Sequence, residues 1–292
     1  MQRIKIMTDS ACDISADLEK EYNIDIMCFP IIIDGKDYIE RETLSNEQFY
    51  KALSTSIEAP VTSQITSFRF LDEYKKIYNE GYKEIINVTI SSSGSNTYNS
   101  AVLARDTFFE ENPEAKSCFK IHIVDSLSYT AGYGYVVVEA AKKARRGCSS
   151  EEIISYLKDW FSCVEIYFAP YSLEQVKRSG RVSCAAAFMG ELLGLRPLIQ
   201  MVDGKSHVLE KIRGNKNIIP RIAATAIKNM IPQTPYIIIK GNVDDHAIEL
   251  EKEMIKKVGY PAEMTIQIGA AVANNAGAEV AGITIKANKN KQ

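Results

Sequence analysis

The sequence predicts an α/β protein with two domains, and three observations support this. Short apolar runs alternate with amphipathic segments across the first half, as in parallel strands joined by helices. After Gly147 the pattern changes to hairpins mixed with helices, which is typical of an α+β domain with a mixed sheet. The 292 residues, 46% of them hydrophobic, are enough for two cores. We therefore expect a mostly parallel N-terminal α/β/α sandwich over residues 1–160 and a C-terminal α+β domain over 161–292.

The first half gives strands and helices in regular succession. Apolar runs predict strands at 4–8, 25–33, 85–90 and 120–124. Helical patterns occupy 15–22, 45–54, 67–80, 97–112 and 130–146, the last one closed by Gly147. Ser45 with Gln48 three residues later is a capping box, and Asp34-Gly35 is a strong hairpin signal.

The second half has fewer and less regular signals. We expect helices at 149–163, 217–230 and 244–258, and strands at 167–170, 198–202, 236–240 and 265–269. A hairpin is predicted across 202–208, and 177–181 reads as a compact basic turn. The polar tail 286–292 is expected to fray.

Composition excludes several classes of function. A formal net charge of -2 argues against a general nucleic-acid-binding protein, which would carry a basic excess. No run of about 18 apolar residues is present, so we expect no membrane span, and no secretory signal is visible. The six cysteines and three histidines are too scattered for a metal site. These features favour a cytoplasmic protein with reduced, buried thiols.

Polar clusters follow three of the predicted parallel strands. They are Thr8-Asp9-Ser10, Ser91–Thr97 and Asp125-Ser126. One such cluster would be an ordinary helix cap, but ligands of parallel sheets bind at this edge, so three clusters together indicate a site. The hydroxyls and helix-start amides of Ser95, Asn96 and Thr97 suit a phosphate and a carboxylate equally well. No phosphate-binding GxxxxGK[ST] and no GxGxxG in a first βα turn is present.

Two further groups of residues have a structural and a functional interpretation. Thr62 and Ser63 either cap the next helix or add hydroxyls to the site. Arg178 and Arg181 fall in one basic segment and Arg213 in another, as part of a solvated face or of a docking surface for an acidic partner or a phosphate.

Taken in order, these motifs resemble the DegV family, also called the fatty-acid-binding or EDD-fold family. Family members carry Thr-Asp-Ser-x-x-Asp, Thr-Ser-Gln, Ile-Ser-Ser-x-Leu-Ser-Gly-Thr-Tyr-x-Ser-Ala, Val-Asp-Ser before Gly-x-Gly, and Leu-x-x-Leu-Lys-Arg-x-Gly-Arg. The matching segments here are Thr8–Asp13, Thr62–Gln64, Ile90–Ala101, Val124–Ser126 with Gly132–Gly134, and Leu173–Arg181. Each motif alone is weak, whereas the ordered set covers essentially the whole chain.

The resemblance implies a lipid-binding subunit of a two-component kinase. An acyl chain such as palmitate or stearate would lie between the two domains, with its carboxylate held by Thr62 and Ser95. Around them we expect Ser63, Asn96, Thr97 and Asn275 at the ligand carboxylate. A separate ATP-binding subunit would phosphorylate the carboxylate and dock on Arg178, Arg181 and Arg213. The acyl phosphate product would feed phospholipid synthesis. No catalytic residue, metal or other cofactor is expected in this chain.

Departures from the family pattern keep two other functions open. Gly94 and Asn96 replace Leu and Gly of the family motif, Asn275 replaces a His, and Glu279 places a negative charge near the expected anion site. These changes are compatible with a carrier of another small anion. The third hypothesis is a self-contained phosphotransferase or hydrolase that uses Asp9, Asp125 and the Ser91–Thr97 loop.

Overall fold

In the computed structural model, which describes residues 4–182 and 194–288, the strands form three sheets. The strands are β1 (Ile4–Asp9), β2 (Asp25–Met27), β3 (Pro30–Ile33), β4 (Lys36–Ile39), β5 (Val61–Thr62), β6 (Glu84–Thr89), β7 (Lys120–Asp125), β8 (Val164–Pro170), β9 (Leu195–Val202), β10 (Lys205–Arg213), β11 (Tyr236–Lys240), β12 (Met264–Gln267) and β13 (Val280–Lys286). The helices are α1 (Ala16–Tyr22), α2 (Asn46–Thr55), α3 (Ser67–Asn79), α4 (Thr97–Glu111), α5 (Ala131–Arg145), α6 (Ser150–Phe161), α7 (Glu174–Ser179), α8 (Ile218–Asn229), α9 (Asp244–Val258) and α10 (Ala270–Ala276).

The first sheet is parallel, as the sequence predicts, with the strand order β2-β1-β6-β7. The β1-to-β2 and β6-to-β7 connections run in opposite directions across this sheet. Because such connections are right-handed, α1 and α4 cover opposite faces. The strand order therefore switches between β1 and β6, which is where open α/β sheets bind their ligands.

The second sheet is mixed, with the order β10-β9-β8-β13-β11-β12. The β11–β12 pair is parallel, and the other pairs are antiparallel. Its β13 strand, which lies between β8 and β11, is missing from the sequence prediction. That strand ends at Lys286, so only 287–292 of the predicted frayed tail follows it, and 289–292 lie outside the described residues.

A small antiparallel sheet of order β4-β3-β5 replaces part of the single strand predicted over 25–33. The chain leaves the parallel sheet after Met27 and starts β3 at Pro30. Proline lacks the N–H that a continuing strand would need, so it begins a strand more readily than it continues one. The predicted hairpin is confirmed at Asp34 and Gly35, which both have positive φ. This sheet positions Thr62, which pairs with Ile31.

The helix caps are largely those that the sequence predicts. Capping boxes form at Ser45 with Gln48 and at Ser149 with Glu152. The predicted basic turn is instead the short helix α7, which ends at Gly180 with φ of 62°. The alanine-rich α10 follows β12 and was not predicted, because its small side chains give no clear amphipathic pattern.

One continuous apolar core joins the first sheet to one face of the second. It contains Ile6 and Val88 of the first sheet together with Ile166 and Ile239 of the second. A separate core on the other face of the second sheet is covered by α8 and α9 and includes Ile238 and Leu250. The two predicted domains therefore share buried surface.

Within residues 4–182 and 194–288, no cysteine forms a disulfide bond, and Cys118 is exposed and Cys148 half-buried rather than buried as predicted. Cys184 lies outside this part of the chain. None of the helices described is both long and apolar enough to cross a membrane. The same residues contain no group of three His, Cys, Asp or Glu side chains suited to a metal ion.

Candidate functional site

Two cavities meet between the first and second sheets. Together with the solvent space at their open mouths, the first encloses about 710 Å³ and the second about 580 Å³. We call the first the apolar cleft and the second the polar compartment. The wall they share, here called the neck, is formed by Ile90, Gly94, Arg181, Ala271 and Asn275.

The apolar cleft is lined mainly by aliphatic, aromatic and methionine side chains. Among them are Ile166, Phe168, Val182, Met201, Ile239, Ile268, Val272 and Val280. The β8, β9, β11 and β13 strands supply most of these side chains, and α10 closes the cleft on another side. Burying apolar surface against such walls is favourable, so the cleft suits an apolar ligand.

The polar compartment collects the predicted carboxylate-binding residues, except Thr97. Its lining includes Ser95 and Asn96 from the loop after β6, Thr62 and Ser63 from β5 and the following loop, and Asn275 from α10. The fold thus brings together three segments that are far apart in sequence. Neutral hydroxyl and amide groups dominate this lining.

Thr97 is fully buried, lies outside the polar compartment and contacts Ser95. Its hydroxyl lies 2.8 Å from the Ser95 hydroxyl and accepts a 3.3 Å hydrogen bond from the Ile65 N–H. Either hydroxyl can donate in the Ser95–Thr97 pair, and Thr97 donates when the Ser95 proton is used elsewhere. Ser95 also accepts from the Thr97 N–H at 3.3 Å. With Thr97 as the donor in their pair, Ser95 can give its own proton to a ligand.

The other polar groups keep hydrogens for a ligand. Thr62 is half-buried, and its hydroxyl forms no hydrogen bond within the described part of the chain. Asn96 is exposed and accepts from the Asn99 amide at 2.6 Å, which leaves its own NH₂ group as a donor. Asn275 uses one amide hydrogen on the Ala271 carbonyl at 2.8 Å and retains the second.

Two of the three predicted docking arginines lie at this site. Arg181 lines both cavities and donates to the Gly94 carbonyl, and Arg178 lines an adjoining groove together with Thr62 and Arg181. Arg213 is exposed at the far end of β10. The other end of this strand contacts the Ser91–Ser93 loop through Gly204. A nine-residue strand spans roughly 30 Å, so Arg213 is remote from the polar compartment.

The serine run that follows β6 has two roles. Ser93 donates to the Gly204 carbonyl at 2.7 Å, and Tyr129 donates to the same oxygen at 3.2 Å. The Ser91 and Ser93 hydroxyls lie 2.8 Å apart under this β9–β10 turn. These two serines therefore join the first sheet to the second, whereas Ser95 lines the polar compartment.

Asp9 and Asp125 support the loop that carries Ser95. Asp9 accepts from the Ile90 N–H at 2.7 Å and from the Tyr133 hydroxyl at 2.5 Å, and Asp125 accepts from the Ser92 N–H at 3.1 Å. Burial raises the pKa of Asp9 to about 7. A phosphotransferase or hydrolase of the predicted kind would need both acids, yet each is hydrogen-bonded to backbone and lies outside the two cavities.

Two buried carboxyl groups hold the start of α10, and one of them had no sequence signal. Asp13 accepts from the Gly269 N–H at 2.8 Å and Glu40 from the Ala271 N–H at 3.0 Å. Burial raises the pKa of both groups. The charge of Glu40 raises the pKa of Asp13 further, whereas the hydrogen bond that the Ser10 hydroxyl donates to Glu40 partly offsets the rise for Glu40. Asp13 belongs to the first motif, but nothing in the sequence marks Glu40.

Glu279 lies outside the expected anion site, contrary to the sequence-based expectation. Its carboxylate pairs with His246 Nε2 at 2.8 Å, outside both cavities. The His246 ring stacks on Tyr171 with a centroid separation of 4.0 Å. The polar compartment is thus free of this negative charge.

The fold and the site define an α/β protein with an amphiphilic cleft between its two larger sheets. The chain belongs to the DegV family, because the family model described as "Uncharacterised protein, DegV family" matches residues 3–288. A DegV domain-containing protein of Clostridium acetobutylicum is 30% identical over 285 residues, covering 97% of this chain and 98% of the relative.

Two solved structures share the fold over nearly the whole chain. A stearic-acid-binding protein from Eubacterium ventriosum has a TM-score of 0.87 at 21% identity, with 99% of this chain and 100% of that chain covered. DegV from Bacillus subtilis, a fatty acid binding protein, has a TM-score of 0.80 at 25% identity, with 97% and 99% covered. The mixed α/β architecture predicted from sequence is confirmed by this agreement.

Proposed function

We propose that this protein is a cytoplasmic carrier of a long-chain fatty acid such as palmitate or stearate. The acyl chain would occupy the apolar cleft, and the carboxylate would enter the polar compartment through the neck. The observation that carries the proposal is the direct junction of an apolar cavity with a hydroxyl-lined one. The fatty-acid ligands named for the Eubacterium and Bacillus relatives support it.

The physical chemistry of the two cavities agrees with such a ligand. Burying a 16-carbon chain gains on the order of 10 kcal/mol at roughly 0.8 kcal/mol per methylene, before ordering costs. A phosphate or another small anion would leave the apolar cleft empty and gain none of this energy. The cleft therefore favours a lipid over the small-anion alternative.

The polar compartment suits a carboxylate that must later react. Ser95 and Thr62 offer neutral hydrogen-bond donors, and the arginine in this lining, Arg181, is exposed to solvent and donates one N–H to the Gly94 carbonyl. A buried arginine in a bidentate pair would stabilise the carboxylate and weaken it as a nucleophile. Neutral donors bind the same group with less loss of reactivity.

We further propose that a separate ATP-dependent kinase subunit phosphorylates the bound carboxylate. A carboxylate oxygen would attack the γ-phosphorus of ATP, and ADP would leave, so that an acyl phosphate forms. Arg178 and Arg181 line the groove beside the polar compartment, where Arg178 also pairs with the exposed Glu174. Arg213 would take part only if the partner reached roughly 30 Å further along β10. We keep 1–160 and 161–292 as the proposed domains, with the ligand between them.

Lipid extraction tests the carrier function. Gentle denaturation of the purified protein should release a fatty acid that mass spectrometry detects, and delipidated protein should take up palmitate. Recovery of no lipid together with no uptake of palmitate would overturn the proposal. Uptake of phosphate or acetate in its place would favour the small-anion carrier, and ATP turnover by this chain alone would favour the self-contained enzyme.

A further inference from the structure

Tyr129 fills the space beside Gly94 at the neck. A Cβ atom at position 94 would lie 2.6 Å from the Tyr129 hydroxyl oxygen and 2.7 Å from its Cε1. Both separations are shorter than real Cβ contacts, so a side chain at position 94 would require the Tyr129 ring to move. Gly94 precedes Ser95 directly, which puts the ring next to the group that would hold the carboxylate.

The position of the Tyr129 ring is fixed from several sides. Its hydroxyl lies 3.2 Å from the Gly204 carbonyl and 3.3 Å from the Ser93 hydroxyl. Leu127 and Thr130 on either side have positive φ values of 48° and 43°. Such values are rare for residues with these side chains, and for a β-branched one such as Thr130 they mark a strained backbone. Strain of this kind persists where the surrounding structure enforces it, often at ligand sites.

Tyr129 lines the apolar cleft but not the polar compartment, so it lies on the tail side of the neck. An acyl chain with its carboxylate at Ser95 must pass this ring with its first few carbons. A straight chain needs only the width of a methylene there. The ring fills the space beside Gly94, so it narrows the passage for a methyl branch on the carbons that follow the carboxylate.

We propose that Tyr129 is a specificity-determining residue that excludes fatty acids branched next to the carboxylate. The proposal rests on the fatty-acid function given above, because it takes the carboxylate to lie at Ser95. It concerns only the neck, and it predicts no discrimination against a branch at the far end of the chain.

Two isomeric ligands and a set of variants test this role. In competition with a fluorescent fatty acid, 2-methylhexadecanoate should bind the wild-type protein about 10-fold or more weaker than 15-methylhexadecanoate, since one misplaced methyl group costs about this much in a closed pocket. Tyr129→Ala should bring the two dissociation constants within about threefold. Tyr129→Leu serves the same purpose if the alanine variant does not fold.

Three controls separate the role of the ring from general loosening. Tyr129→Phe keeps the ring and should keep the discrimination. Ile239→Ala enlarges the apolar cleft at β11, away from the neck, and should leave the ratio of the two dissociation constants unchanged. Adding Gly94→Leu to Tyr129→Ala refills the same space and should restore the discrimination.

The outcomes distinguish this proposal from the function on which it rests. If the wild-type protein takes up no palmitate, both fail. If it takes up palmitate but binds the two isomers equally, or if Tyr129→Ala and Tyr129→Leu leave their ratio unchanged, only the role of Tyr129 is overturned.

Discussion

The Thr97 hydroxyl lies 2.8 Å from the Ser95 hydroxyl and is itself held by the Ile65 amide. With Thr97 as the donor in this pair, the Ser95 proton is available to the polar compartment, although Thr97 lines neither cavity. The sequence predicts Thr97 among the carboxylate-binding residues. Because it lies behind Ser95 and outside the polar compartment, we expect it to position the Ser95 hydroxyl.

Thr97→Val should weaken palmitate binding about fivefold to tenfold, the equivalent of roughly 1 kcal/mol for one hydrogen bond. The change keeps the shape of the side chain but removes the hydroxyl that orients Ser95. It also leaves the Ile65 N–H without its acceptor and should lower the free energy of unfolding by about 1–3 kcal/mol. Titration calorimetry and urea unfolding measure the two effects. Thr97→Ser retains the hydroxyl and should restore binding, and unchanged affinity in the valine variant would contradict the positioning role.

Ser95→Ala and Thr62→Ala should each weaken palmitate binding by about 10-fold or more, since a hydrogen bond to a charged group contributes roughly 1.5–3 kcal/mol. Neither variant should change the binding of methyl palmitate to the same extent, because the ester carries no charge. Comparing the two ligands therefore separates loss of carboxylate recognition from damage to the cleft. Equal losses for acid and ester would place the carboxylate elsewhere.

The buried Asp9 should make the protein less stable as the pH rises through the neutral range. Its pKa is raised from 3.8 to about 7, so between these values the folded state binds more protons than the unfolded state. The stabilisation is present below about pH 4 and is lost as the pH rises towards 7. At about 1.4 kcal/mol per pKa unit the loss is at most roughly 4 kcal/mol.

Asp9→Asn removes this titration and can still accept from the Ile90 N–H. Urea unfolding at pH 5 and pH 7.5 should therefore show a smaller loss of stability in the variant than in the wild-type protein. Asp13 and Glu40, whose pKa values are also raised by burial, contribute in the same direction and remain in the variant. An identical pH dependence in both proteins would show that Asp9 titrates normally.

Glu40→Ala should destabilise the protein by roughly 2–3 kcal/mol. The change leaves the Ala271 N–H and the Ser10 hydroxyl without their acceptor in a buried place, and each such group is costly. Chemical denaturation gives the free energy of unfolding. Glu42→Ala is the matched control, because Glu42 forms an exposed pair with Arg69 and should contribute less than about 1 kcal/mol. Similar losses in both variants would argue against the capping role of Glu40.

The sequence predicted those parts of the site that depend on local patterns. Ser95 and Thr62 stood in recognisable motifs, and alternation of strands and helices was enough for the parallel sheet. Glu40 and Tyr129 could not be found in this way, because their roles come from contacts with residues distant in the chain. The β13 strand was missed for a related reason: a central position between two partners, rather than its own short pattern, makes it a strand.

The two halves of the chain depend on each other through the caps of α10. Asp13 and Glu40 come from the N-terminal half, whereas Gly269 and Ala271 belong to the C-terminal half. A fragment beginning at residue 161 would lose these acceptors together with the apolar surface that the halves share. The two halves are therefore not interchangeable modules, and a chimera joining one of them to a relative would need a matching acid at position 40.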